Sequence, residues 1–105
     1  MKNFLAALAL LVLAGCVTSP SQGYRPANYA GSPWVIDGSW NKLSGLMVIR
    51  VNGEPTLTGH YVFSGGELAG VYQGSAVASS CLIQFGGRLT CFVFVNGERA
   101  ATLSF

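Results

Sequence analysis

From Trp34 to Phe105 the apolar positions recur with the period of a strand and are interrupted at short intervals by turn chemistry. Asn52-Gly53, Gly65-Gly66, Gly86-Gly87 and Asn96-Gly97 each stand between apolar, β-branched or aromatic runs. Asn-Gly favours a type I′ turn, because both central residues must adopt positive φ. The pattern predicts strands at 34–40, 44–51, 55–63, 67–73, 76–84, 88–95 and 98–105, with no helical period after residue 15. Every connection is short, so sequence neighbours should pair antiparallel. The expected class is all-β: a small up-and-down meander of about seven strands, closed or nearly closed into a barrel.

Alternation within these strands is two-sided. In 88–95, Phe92 and Phe94 face one way and Leu89, Cys91, Val93 and Val95 the other. In 44–51, Leu46 and Val48 oppose Met47, Ile49 and Val51. A sheet with one wet face alternates apolar and polar residues cleanly. Apolar residues on both faces therefore predict a tightly curled barrel with an occupied outside, a self-associating sheet or a partner surface. Val51-Asn52-Gly53-Glu54 recurs as Val95-Asn96-Gly97-Glu98. We read that likeness as common hairpin chemistry.

The pattern changes upstream of Trp34. Residues 17–33, "VTSPSQGYRPANYAGSP", hold three prolines and two glycines without an apolar period. They read as a flexible tether with a mean span of roughly 20–25 Å. Before it, Lys2 precedes an uncharged apolar run of 11 residues, Phe4 to Ala14. That run fits a signal-peptide core and falls short of the about 20 residues that span a bilayer. It ends in Leu13-Ala14-Gly15-Cys16, which resembles the lipobox of bacterial lipoproteins. The resemblance implies cleavage before Cys16 and a diacylglyceryl thioether on its sulfur, the thiolate being the nucleophile. The implied organisation is a signal peptide at 1–15, a lipidated tether at 16–33 and one β-domain at 34–105. Val17 stands where an Asp would retain such a lipoprotein in the inner membrane. The implied address is the outer membrane, facing the periplasm by default.

Charge narrows the partners. From Cys16 onward five basic residues face four acidic ones, too little excess for the basic stripe that nucleic acid requires. With Cys16 committed to lipid, Cys81 and Cys91 remain as an even pair in an oxidising compartment. A bridge between them is worth about 3 kcal/mol in the chain-entropy model. Gly86 is the centre of the interval, so directly opposed cysteines require an odd-length loop at Phe85-Gly86-Gly87. Two cysteines and the lone His60 do not complete a metal set. No metal and no cofactor are expected.

Gly38 to Tyr61, "GSWNKLSGLMVIRVNGEPTLTGHY", resembles the opening of avidin-type barrels in Gly38, Trp40, Asn41, Ser44, Thr58, Gly59 and Tyr61. Gly-x-Trp also opens lipocalins and bacterial protease inhibitors of the same barrel class. The resemblance implies that Trp40 plugs one end of the barrel, beside an Arg of a late strand, Arg99 or Arg88. Asn41, Ser44 and Tyr61 would be the positions for a biotin-like urea. The later tryptophans that sandwich that ligand are missing, since the chain holds only Trp34 and Trp40, so no such ligand is expected. Lipoproteins related to protease inhibitors share the lipobox, Gly-x-Trp, one disulfide and a Leu-Ser near the C-terminus, here Leu103-Ser104.

Catalytic chemistry is sparse. Glu54, Glu67 and Glu98 each follow a turn, where carboxylates serve solubility. His60 is expected to be a hydrogen-bonded structural histidine rather than a general base. Ser64-Gly65-Gly66 lacks the helix of a nucleophile elbow. The sequence points to a non-enzymatic outer-membrane lipoprotein, an envelope interaction or structural module with a protein partner or self-association. The alternative is a small inhibitor of a protease or lysozyme.

Overall fold

The computed structural model describes residues 16–26, 31–60, 66–84 and 86–105. These residues form antiparallel strands joined by turns and loops, and no helix occurs among them. The strands are β1 (Cys16–Thr18), β2 (Gln22–Tyr24), β3 (Trp34–Asn41), β4 (Leu46–Val51), β5 (Glu54–His60), β6 (Gly66–Tyr72), β7 (Ser75–Ile83), β8 (Leu89–Val95) and β9 (Glu98–Ser104). The seven from β3 onward follow the expected meander, with ends shifted by at most a few residues.

The meander forms two sheets. One runs β3-β4-β5, with β1 and β2 both paired to the outer edge of β3; the other runs β6-β7-β8-β9. No sheet closes on itself; the meander forms two sheets around one core. The break falls between β5 and β6. There the strands approach by packing. A Cβ on Gly70 would stand 2.6 Å from the Thr56 carbonyl oxygen.

Local φ demands build the turns. Asn52 and Gly53 adopt φ of 53° and 79°, and Asn96 and Gly97 adopt 49° and 83°. Gln73 and Gly74 make a third such turn, at 47° and 79°. The sequence reading did not single that turn out, because Gln has little preference for the left-handed region.

The two Asn-Gly hairpins share more than their turns. Asn52 donates its backbone N–H to the Val35 carbonyl and accepts the Val35 N–H on Oδ1, at 2.8 and 2.9 Å. Asn96 makes the same pair of bonds to Ala76, at 2.8 and 3.0 Å. Each asparagine therefore ties its own hairpin to a third strand. A register shift follows at corresponding places, between Ile49 and Arg50 and between Val93 and Phe94. β3-β4-β5 and β7-β8-β9 are thus two copies of one frame, beyond what shared hairpin chemistry requires.

Inward residues of both sheets make the core. Ile36, Met47, Ile49, Val51 and Leu57 meet Val77, Leu89, Val93, Val95 and Leu103. Cys81 and Cys91 face each other across β7 and β8 and are bonded. Gln84 donates its N–H to the Arg88 carbonyl, leaving residues 85–87 as the odd-length loop. Phe85 itself lies outside the described residues. Trp40 is buried as expected, and a Cβ on Gly38 would stand 2.9 Å from the Phe105 ring.

The segment read as a tether does not hang free. Cys16, Val17 and Thr18 pair with Asn41, Trp40 and Ser39, and Gln22, Gly23 and Tyr24 pair with Ile36, Val35 and Trp34. Its value lies in what it covers. Gln22 gives its side-chain amide to both backbone groups of Thr102, linking β2 to β9. Tyr24 packs edge-on against Trp34, and Tyr72 does the same at 5.0 Å. Burial, then the nearby Glu98 carboxylate, raises the Tyr24 hydroxyl pKa above its ordinary value. Trp34, at the start of the meander, is therefore as buried as Trp40, at 4% and 6%. Residues 1–15, the expected signal peptide, and Tyr29 lie outside the described residues.

Two outcomes follow. Asn52→Ala and Asn96→Ala should each cost about 2 kcal/mol, from a lost hydrogen bond to the third strand and a strained left-handed turn residue. Asn52 should be the costlier, because its Nδ2 also donates to the Tyr72 hydroxyl. Urea unfolding checks both. Trp34→Ala and Trp40→Ala should each lose about 3–5 kcal/mol. A Trp34→Ala variant as stable as the native chain would show that the N-terminal strands do not seal the core.

Candidate functional site

Each half of the chain presents an outward face built on the same frame, and the two differ in chemistry. On the first sheet, Asp37 stands opposite Arg50. Arg50 Nε donates to Asp37 Oδ1 at 2.9 Å, with both side chains about one-third exposed. On the second sheet, the corresponding opposed pair is Ala78 and Phe94. Next along the strands, Val48 opposite Ser39 becomes Phe92 opposite Ser80. The frame therefore accepts charge at positions where the second sheet carries alanine and phenylalanine.

The second sheet's outer face has relief. Phe92 and Phe94 form a half-buried ridge along β8. Beside it, Ala69 and Ala78 leave a shallow trough over β6 and β7. An open groove of about 280 Å³ lies there, bordered by Glu67, Ser80 and Phe94. Val71, 68% exposed, and Leu82 extend the apolar surface. Charge lies at its two edges: Glu67 on β6 and Arg99 on β9.

Arg99 was expected beside Trp40. The structure places it on the outer face, its guanidinium 4.8 Å from the Phe92 ring centre. The cation over Trp40 is Lys42, at 5.8 Å. The reason is parity: Arg99 is opposite the outward Phe94, whereas Trp40 points into the core. Arg88 lies exposed beside the β7–β8 loop.

The positions expected for a urea ligand are used by the β3–β4 turn. Asn41 Oδ1 accepts the N–H groups of Leu43 and Ser44 at 2.9 and 3.1 Å, and Ser44 Oγ accepts that of Leu46 at 3.2 Å. Tyr61 lies outside the described residues. His60 is exposed on β5 and, contrary to expectation, its side chain has no hydrogen-bond partner among the described residues. Its neighbour across the ladder is Leu46, so it faces outward instead of entering the core. Among the described residues no three His, Cys, Asp or Glu side chains gather as a metal site would need.

Cys16 is exposed with a free thiol, at the start of β1 and level with Asn41. The adjacent turn carries Lys42 and Leu43, the latter 83% exposed. The apolar outer face was legible in the alternation of Phe92 and Phe94. The trough was not, because small residues on β6 and β7 become a groove only when both strands lie beside β8.

Transplanting the ion pair tests the equivalence of the two frames. The double variant Ala78→Asp/Phe94→Arg should keep the native far-UV circular dichroism and its disulfide. Loss of structure would mean that these side chains hold the fold together.

No family model matches the chain, and neither the curated proteins nor the solved structures include a match.

Proposed function

We propose that the chain is a non-enzymatic, lipid-anchored interaction module of the bacterial outer membrane, facing the periplasm. The observation that carries the interaction half is the contrast between two equivalent outer faces. One holds the Asp37–Arg50 pair; the other holds Phe92, Phe94 and alanines in positions the frame would allow to be charged. Apolar side chains held in water without structural need mark a surface that another body covers.

The lipobox-like Leu13-Ala14-Gly15-Cys16 supports the anchor half. The exposed, free Cys16 is consistent with it. Acylation there would attach the bilayer directly to the folded body, since residues 16–18 lie on β3. Lys42 and Leu43 would then meet the lipid surface, an ammonium for anionic headgroups beside an apolar side chain. The Gly-x-Trp opening favours reading the two sheets as a flattened, incompletely closed barrel. Gln22 spans one gap and the β5–β6 packing spans the other.

Intact-mass measurement of protein extracted from cell envelopes tests the anchor. The mature chain should begin at Cys16 and carry acyl mass, and Cys16→Ser should leave an unacylated product that is uncleaved or soluble. A native chain of unmodified mass, retained equally with or without Cys16, would remove the anchor.

A further inference from the structure

We infer that the apolar outer face of the second sheet is closed by a second copy of this chain, in a two-fold symmetric dimer. The inference deepens the reading of that face as an interaction surface and needs nothing from the anchor. It rests on self-complementarity. Ridge and trough lie side by side on one face: Phe92 and Phe94 on β8, and the groove over β6 and β7 lined by Ala69, Ala78 and Ser80. A two-fold axis lying between two such faces and running along the strands brings β8 of each copy over β7 of the other. Residues keep their level along the strands under that rotation. Phe94 of each copy then lies over Ala78 of the other, a knob over a hollow.

Charge agrees with shape. The same rotation brings β6 of each copy over β9 of the other. Glu67 is level with Ser80, which is opposite Phe92, which is opposite Thr102. Arg99 leans its guanidinium over Phe92, into that same level. Each Glu67 carboxylate therefore approaches the Arg99 guanidinium of the other copy, twice per dimer. An isologous interface requires this reciprocity. Four strands spaced about 4.8 Å apart and about 23 Å long give a footprint of roughly 440 Å² in projection. Side-chain relief raises the accessible area towards the scale of the smaller specific interfaces, about 600 Å² per partner. Rotation about an axis along the strands also leaves both Cys16 residues at one end, so a single membrane can hold both.

The test is the protein mass of the full chain as recovered from cells, in detergent where it is membrane-bound, measured by light scattering corrected for any detergent. The native chain should give the mass of two copies. Ala78→Lys, which fills the hollow under the other copy's Phe94 with a charged side chain, should give one, with unchanged circular dichroism. Glu67→Arg alone and Arg99→Glu alone should each weaken association at least tenfold, and the two together should restore it. These edge variants keep the proposal testable if the first variant fails to fold. A native chain of one-copy mass up to about 100 μM, a two-copy mass persisting in Ala78→Lys, no rescue by the paired edge variants, or a different protein seated on this face would each overturn it. The acyl mass on Cys16 is read separately, so failure of the dimer and failure of the anchor are distinguishable.

Discussion

Register is the constraint on which every feature of this domain depends, and two asparagines set it. Each occupies the left-handed region, so the hairpin reverses in two residues. Each also spends its side-chain oxygen and backbone N–H on a third strand. A slip of one residue in either frame would exchange the inward and outward sets of side chains. It would move Ile49 or Val93 to the outside and separate Cys81 from Cys91. Core, disulfide and outer faces all follow from three strands being held in one alignment, twice.

The repeated frame makes the second sheet's exterior interpretable. A partly exposed ion pair such as Asp37–Arg50 adds little to stability, typically below about 1 kcal/mol, so its presence shows tolerance more than need. The shared frame predicts the same tolerance at Ala78 and Phe94. The apolar exterior there is a chemical choice that the fold did not impose. The groove, the aromatic ridge and the edge charges are the consequences of that choice for recognition.

The N-terminal strands manage what two open sheets leave exposed. An uncovered edge offers unpaired N–H and C=O groups to other chains. β1 and β2 cover the outer edge of β3, and Gln22 imitates a strand by bonding both backbone groups of Thr102. Tyr24 continues the seal over Trp34. A segment whose prolines and glycines suit a tether thus serves as part of the wall, and brings Cys16 to the domain itself.

By itself the sequence determined the features that arise within a few residues: the period-two strands, the Asn-Gly reversals and the opposed cysteines around a three-residue loop. Positive φ, side-chain parity and loop length are local quantities. The tertiary structure alone decided that the meander divides between β5 and β6, that residues 16–18 and 22–24 become strands, that Trp34 is sealed, that His60 faces outward and that Arg99 covers Phe92 rather than Trp40. Each depends on which distant strand arrives alongside, and neither composition nor periodicity encodes that arrival. The short polar segment around Gln22 has no apolar pattern of its own. It acquires structure only from the free edge of β3 and the backbone of Thr102, 80 residues further along the chain.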